Sequence, residues 1–228
     1  MGDTKRHIGI MGGTFDPVHN AHLVLAEQAY EQYALDEIWM LPNGNPPHKR
    51  DTRQADVECR MEMLRLAIRD VPYLKLCDLE RSSSSYHYTY ETLQRLNRRY
   101  PDTVFYFIMG ADSLFEFDRW KEPGMISREC ILLAAVRDHH ARGQIQDRIR
   151  ELNERYGAKI HILDTPNMDI ASADIRERLA EGTAVSHLLP AAVEMYIRQK
   201  GLYGSGTDRT AALCQSMEEK KRNLNEVG

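Results

Sequence analysis

Long apolar segments, cysteine pairs and an excess of charge of one sign are all missing from this sequence. The longest unbroken apolar run is residues 130–136, seven in all, whereas a helix needs about 20 to cross a bilayer. The 228 residues include 30 basic and 34 acidic side chains, a net charge of −4. This balance provides no field to hold a nucleic-acid backbone or an anionic membrane. We therefore expect neither nucleic acid nor membrane as a partner.

The four cysteines are too scattered to define a metal or disulfide site. They stand at positions 59, 77, 130 and 214, without a CxxC pair, which is typical of reduced, packing thiols. The first residues lead into a strand-like run with no apolar signal-peptide core. Together these features predict a cytoplasmic protein.

The chain length and composition favour one folded domain. The sequence is 42% hydrophobic and 28% charged, an ordinary globular composition, and about 100–200 residues is a usual domain size. We expect residues 1–204 to form the domain. Residues 205–228 are polar and rich in Glu, Lys and Asn, which predicts a C-terminal tail.

Short apolar segments alternate with segments of helical period along most of the chain. This pattern predicts an α/β fold with a Rossmann-like open parallel sheet and helices on both faces. The expected strands are residues 7–11, 37–41, 74–77, 103–109, 130–136 and 159–163. The expected helices are residues 20–33, 57–69, 90–99, 144–156, 173–181 and 191–200.

The stretch from residue 8 to residue 23 holds the strongest chemical signal. A strand, a double glycine, a short loop and a helix start follow one another, and ligands of parallel sheets bind at such strand ends. Gly12 and Gly13 lack Cβ atoms, so their backbone N–H groups can approach an anion or a purine. Asn20 is the expected N-cap of the helix. His19 and His22 fall near its first turn, where both rings can reach one phosphate.

Other motifs that would explain this loop are absent or incomplete. The chain contains neither GxGxxG nor GxxxxGK[ST], which excludes the dinucleotide fingerprint and the P-loop. The HxxH pair could bind a metal, but no third ligand stands nearby, so we expect no protein-held metal. A tight strand–helix connection with two capping histidines is the structural alternative.

Residues 12–22, GGTFDPVHNAH, resemble the signature of the HxGH nucleotidyltransferase superfamily. More narrowly, the sequence is similar to bacterial nicotinate-mononucleotide adenylyltransferases over about residues 6–204. The further matching segments are PPHK at 46–49, YTYETL at 88–93, GAD at 110–112, Trp120, IASADIR at 170–176 and GLY at 201–203. The resemblance implies transfer of AMP from ATP to nicotinate mononucleotide, giving deamido-NAD and pyrophosphate in NAD biosynthesis.

The resemblance also implies roles on the ATP side. His19, His22 and Arg176 would contact the ATP phosphates, and Lys49 would close over them from the proline-rich loop as a fourth catalytic residue. The other ATP-binding residues implied are Gly12, Gly13, Thr14, Phe15, Gly110, Asp112 at a ribose hydroxyl, and Ser172. Mg²⁺ is implied on the pyrophosphate oxygens, held by substrate and water rather than by a cage of carboxylates.

On the acceptor side the resemblance implies Lys49, Thr89, Trp120 and Arg137. The indole of Trp120 would stack on the nicotinate ring, and N–H groups beside Thr89 and Trp120 would hold its carboxylate. Three alternatives stay open: a solvated Lys49, a Trp120 that only fills the core, and Asp112 as the N-cap of the following helix.

The sequence departs from the family pattern at a few positions. Ala171 and Ala173 replace hydroxyl residues of the late motif, which predicts missing phosphate or N-cap hydrogen bonds, and Ala21 replaces the glycine between the histidines. The rival interpretations are a phosphopantetheine adenylyltransferase, a cytidylyltransferase and a non-catalytic nucleotide-binding regulator. A monomer and a homo-oligomer both remain open, as does the preference between the acid and amide mononucleotides.

Overall fold

The computed structural model describes residues 5–44, 54–81, 87–136 and 142–205. The strands are β1 Arg6–Gly13, β2 Glu37–Pro42, β3 Leu74–Leu76, β4 Thr103–Gly110, β5 Ile131–Val136 and β6 Ile160–Asp164. The helices are α1 Asn20–Gln32, α2 Val57–Ile68, α3 Thr89–Arg99, α4 Ala111–Phe115, α5 Pro123–Glu129, α6 Arg142–Tyr156, α7 Ser172–Glu181 and α8 Ala191–Lys200. Two 3₁₀ turns, Phe117–Arg119 and Leu202–Gly204, complete the described elements.

The strands form one parallel sheet, which confirms the predicted Rossmann-like fold. Within the described ranges it has six strands in the order β3-β2-β1-β4-β5-β6, and each neighbouring pair is parallel. The chain order reverses between β1 and β4. In open α/β sheets the crevice at such a reversal, beyond the carboxyl ends of the strands, is where ligands bind.

Apolar side chains cover both faces of the sheet. On β1, Ile8 and Ile10 belong to the core cluster on one face and Met11 to the cluster on the other. The residue between Ile8 and Ile10 is a glycine, Gly9, because a Cβ at this position would lie 2.5 Å from the Ile38 side chain. Burial on both faces is what a parallel sheet requires, since helices pack on each side.

The connection between β4 and β5 differs from the sequence-based expectation. It contains α4, the turn Phe117–Arg119 and α5. A helix following Asp112 was expected only under the N-cap alternative, and the other two elements were not predicted. Elements of three to seven residues are too short to show a helical period.

No helix within the described part is both long and apolar enough to cross a membrane. Ser205 is buried and its hydroxyl donates to the Ile197 backbone oxygen at 3.2 Å. Residues 206–228 lie outside the described residues, so the expected tail remains a prediction.

Candidate active site

The loop between β1 and α1 lies at the carboxyl edge of the sheet, beside the reversal in strand order. β1 pairs with β2 on one side and β4 on the other, so its end at Gly13 stands in the middle of this edge. The predicted N-cap was wrong by one residue: α1 begins at Asn20 and its N-cap is His19. Asn20 is instead held by the chain before α8, since its backbone N–H donates to the Leu188 oxygen at 2.9 Å.

His19 and His22 face each other at the start of α1. Their ring centroids are 3.7 Å apart and the rings are stacked with an interplanar angle of 26°. His22 Nδ1 accepts a hydrogen bond from the His19 backbone N–H at 3.2 Å. A neutral His22 ring therefore has its proton on Nε2, where it can donate to a ligand. His19 is 5% exposed and His22 is half-buried, so His22 is the more accessible donor.

The position of the Phe15 ring explains why residue 13, the second glycine of the motif, is a glycine. A Cβ on Gly13 would lie 3.1 Å from the Phe15 ring, so the glycine makes room for this ring as well as for any ligand. Phe15 has a φ of 51° and is 2% exposed, and its ring meets His22 edge-on at 5.0 Å between centroids. Its ring thus supports the His22 side chain, whereas Thr14 beside it is exposed.

Helix α7 brings the late motif onto this loop. Arg176 Nη1 donates to the Asp16 backbone oxygen at 2.8 Å, and Ser172 Oγ donates to the Pro17 oxygen at 3.0 Å. The Ser172 hydroxyl proton is therefore used within the protein. The N-cap of α7 is Ala171, which provides no side-chain cap, as the missing hydroxyl predicts. Arg176 therefore contacts the same β1–α1 loop that leads to the two histidines.

A buried arginine and a half-buried tyrosine support the loop, and sequence reasoning assigned neither of them a role. Arg60 Nη1 donates to the Thr14 oxygen at 2.7 Å and to the Asn43 oxygen at 2.9 Å, and Arg60 is 2% exposed. Burial lowers the pKa of its guanidinium, and the charge of Asp16 acts in the opposite direction. Tyr203 donates to Asp16 Oδ1 at 2.5 Å. Arg60 stands among the buried, mostly apolar positions of α2, and this was the signal in the sequence for its buried role.

The remaining described candidates, Gly110 and Asp112 for ATP and Thr89 and Trp120 for the acceptor, lie on or next to neighbouring elements of the sheet. Gly110 ends β4 and is the N-cap of α4, so the alternative of Asp112 as N-cap is wrong; Asp112 is exposed in the first turn. Trp120 is half-buried, packing against Phe107 and Phe117 at 5.9 and 5.7 Å between centroids. Thr89 is the first residue of α3, where a helical N–H lacks an intrahelical partner.

Two predicted site residues, Lys49 and Arg137, lie outside the described residues. Among those that are described, no three His, Cys, Asp or Glu side chains are grouped to hold a metal ion. The donors gathered at the loop are imidazole, guanidinium and hydroxyl groups. This set suits phosphate oxygens better than a bare cation.

Comparisons with known proteins agree with this geometry. The family model described as cytidylyltransferase-like matches residues 10–178. A protein of Lachnoclostridium phytofermentans named a probable nicotinate-nucleotide adenylyltransferase is 44% identical over 198 residues, which cover 87% of this chain and 99% of that protein. A protein of the same name from Moorella thermoacetica is 39% identical over 86% of this chain and 91% of its own.

A solved structure shows the same fold. The Plasmodium falciparum nicotinic acid mononucleotide adenylyltransferase complexed with NaAD superposes with a TM-score of 0.74 at 22% identity, covering 88% of this chain and 98% of that one. At this identity the likeness concerns the fold, while the curated relatives concern the family. By its sequence relatives and its sheet alike, this chain belongs to the nicotinate-nucleotide adenylyltransferase family of cytidylyltransferase-like proteins.

Proposed function

We propose that this protein transfers the adenylyl group of MgATP to the 5′-phosphate of nicotinate mononucleotide, releasing pyrophosphate and deamido-NAD. The observation that carries the proposal is that the loop after β1 leads into the stacked pair of His19 and His22 and is itself contacted by Arg176, at the Asp16 backbone oxygen. The names of the curated relatives support the same reaction.

The reaction is an in-line displacement at the α-phosphorus. A phosphate oxygen of the acceptor forms the new bond to the α-phosphorus. The bond from the α-phosphorus to the oxygen that bridges it to the β-phosphorus breaks, and that oxygen leaves with the pyrophosphate. Because the nucleophile is already an anion, no side chain has to remove a proton from it. Catalysis then depends on aligning two polyanions and on neutralising the charge that moves to the pyrophosphate.

His22 and Arg176 are suited to this task in different ways. The Nε2–H group of His22 donates one directed bond, aimed by the backbone contact at Nδ1. Arg176 provides a permanent positive charge and several donors for the β- or γ-phosphate. His19, stacked behind His22 and capping α1, holds the pair at the helix N-terminus, whose partial positive charge also favours phosphate.

The adenosine and acceptor sites are proposed on either side of the phosphates. Gly12, Gly13, Thr14 and Phe15 border the adenosine, with Gly110, Asp112 at a ribose hydroxyl, and Ser172 completing the ATP site. The exposed face of Trp120 would stack on the pyridine ring, and the N-terminus of α3 at Thr89 would meet its carboxylate. Lys49 and Arg137 are retained as phosphate contacts by resemblance.

The metal enters as part of the nucleotide substrate. A Mg²⁺ ion carried by ATP keeps several waters and needs few protein ligands. The donor set of the loop, which has no metal-ligand cluster among the described residues, fits a substrate-borne ion. Chelation should therefore stop turnover without changing the free energy of unfolding of the protein.

A single assay tests the proposal. The protein is mixed with MgATP and, in turn, nicotinate mononucleotide, nicotinamide mononucleotide and phosphopantetheine, and pyrophosphate release is measured. We expect release with nicotinate mononucleotide to exceed that with the other two acceptors. Release with phosphopantetheine alone would replace the proposal by a different adenylyltransferase. Tight ATP binding without release from any acceptor would indicate a nucleotide-binding regulator.

A further inference from the structure

The buried carboxylate of Asp16 joins segments that are far apart in sequence. Its Oδ1 atom accepts a hydrogen bond from the Tyr203 hydroxyl at 2.5 Å and another from the Ala55 backbone N–H at 3.1 Å. Its own backbone oxygen accepts the bond from Arg176. Asp16 is 2% exposed, so these donors replace the water that would otherwise solvate the charge. The carboxylate thus connects the loop between β1 and α1, the residue before the N-cap of α2, and the 3₁₀ turn after α8.

The other carboxylate oxygen makes only a long ion pair with Arg176, without a hydrogen bond. Asp16 Oδ2 lies 3.9 Å from Arg176 Nη1 and has no hydrogen-bond partner among the described residues. An arginine and a carboxylate usually pair through two parallel bonds of about 2.7–2.9 Å. Here Arg176 makes one bond, to the backbone oxygen of Asp16. Its remaining N–H groups are therefore left for a ligand.

Tyr203 is placed to maintain this separation. It has a φ of 58°, a left-handed conformation that a non-glycine residue keeps only where its surroundings fix it. Burial, followed by the negative charge of Asp16, raises the pKa of the Tyr203 hydroxyl. The hydroxyl therefore remains a proton donor at neutral pH, and its short bond holds Oδ1 in place.

We infer that Tyr203 is a positioning residue, whose hydroxyl keeps the Asp16 carboxylate from closing on Arg176 and so leaves the guanidinium facing the ATP phosphates. The inference rests on the proposed adenylyl transfer. It assigns Tyr203 a role through Asp16 and Arg176, without contact with either substrate.

The substitution Tyr203→Phe isolates this role because it removes one oxygen and keeps the ring. Without the hydrogen bond from the Tyr203 hydroxyl, the Asp16 carboxylate is stabilised best by turning to form a close ion pair with Arg176. The guanidinium then withdraws from the ATP phosphates. We expect kcat/KM for ATP to fall about tenfold or more, the size of one charge-assisted hydrogen bond. The KM for the mononucleotide should stay within about twofold of the wild-type value. Calorimetric titration with a non-hydrolysable ATP analogue should show the same loss without turnover.

Tyr33→Phe is the matched control. The Tyr33 hydroxyl donates to the Ile162 oxygen at 2.6 Å, a partly buried bond of similar length at the C-terminal end of α1. This variant should lose stability and keep the kinetic constants of the wild type. If Tyr203→Phe leaves kcat/KM for ATP unchanged, or alters the constants of both substrates equally, the inference is overturned. Absence of pyrophosphate release from the wild type would instead refute the proposed function.

A second pair of variants tests the route through Asp16. An asparagine at position 16 cannot form an ion pair with Arg176, so Tyr203→Phe should cause no further loss of kcat/KM in an Asp16→Asn protein. Full additivity of the two substitutions would show that Tyr203 acts independently of Asp16. If Asp16→Asn does not fold, the substrate-specific loss in Tyr203→Phe decides the question alone.

Discussion

The imidazole rings of His19 and His22 lie stacked 3.7 Å apart, and the backbone N–H of His19 donates to Nδ1 of His22. This contact is a helix-capping interaction, because His19 is the N-cap of α1 and His22 is the third residue of that helix. The capping and phosphate-binding interpretations of the motif are therefore compatible. One ring nitrogen of His22 accepts the capping hydrogen bond, and we propose that the other donates to the substrate.

Arg60→Met should destabilise the protein strongly. The substitution leaves the Thr14 and Asn43 oxygens without their buried donor and removes a positive charge near Asp16. We expect a loss of about 3 kcal/mol in the free energy of unfolding, measured by urea denaturation.

Arg65→Met provides the matched control for Arg60. Arg65 is on the same helix but is 43% exposed and pairs with Glu62 at 3.0 Å. Its replacement should cost less than about 1 kcal/mol. Equal losses in the two variants would show that the Arg60 contacts add nothing to stability.

Trp120→Ala should affect the acceptor more than ATP. If the exposed face of the indole stacks on the pyridine ring, its removal raises the KM for nicotinate mononucleotide about tenfold and changes that for ATP less than about twofold. Steady-state kinetics with each substrate varied in turn measures the two constants. Trp39→Ala removes a half-buried indole that packs on Tyr100, and both KM values should be retained there. Equal changes in both constants for Trp120→Ala would refute stacking.

Glu80 predicts a pH dependence of stability. Glu80 is 6% exposed, and its carboxylate accepts a hydrogen bond from Thr92 Oγ1 at 2.7 Å. Burial raises the pKa of this carboxyl, although the hydrogen bond from Thr92 acts to lower it. Because the folded pKa exceeds the unfolded one, the native state retains the proton to higher pH. Stability contributed by Glu80 therefore falls as pH rises from about 4.3 through the raised value. Relative to the wild type, Glu80→Gln should therefore gain stability as the pH rises above about 4.3.

Asp118→Asn should change the stability with pH in the opposite direction, and it serves as the comparison for Glu80→Gln. Hydrogen bonds from Tyr156 and then Arg148 lower the pKa of Asp118, so its contribution is present above its unfolded pKa and is lost as pH falls. Asp118→Asn should lose stability relative to the wild type as pH rises. Unfolding curves measured across the range would contradict both assignments if the two variants changed in the same direction.

The sequence predicted the strands and the long helices of this protein better than the short helices and the long-range contacts between them. The central strands are apolar runs that a parallel sheet buries on both faces, and β1, β4 and β5 lie where these runs occur. The helix at Pro123–Glu129 escaped prediction, and the helix at Ala111–Phe115 was expected only through the N-cap alternative at Asp112, because seven and five residues show no clear helical period. Local pattern therefore identified the elements that are long or strongly apolar.

The contacts within the candidate site could be predicted only in part. The histidine pair is three residues apart on one helix turn, so local geometry brings the rings together. The bond from Tyr203 to Asp16 spans 187 positions and that from Arg176 to Asp16 spans 160. Such pairs depend on tertiary packing, and no local pattern specifies them. The N-cap was assigned to Asn20 for a related reason, because histidine is an uncommon cap and asparagine a frequent one.

The most direct test of the account is turnover by His22→Ala, since His22 is the accessible donor of the stacked pair. Pyrophosphate release is measured at saturating MgATP and nicotinate mononucleotide, with His161→Ala, an exposed histidine on β6, as the control. The account predicts that kcat of His22→Ala falls about 10²–10³-fold, while His161→Ala retains the wild-type rate. Near-normal turnover by a folded His22→Ala protein would contradict it.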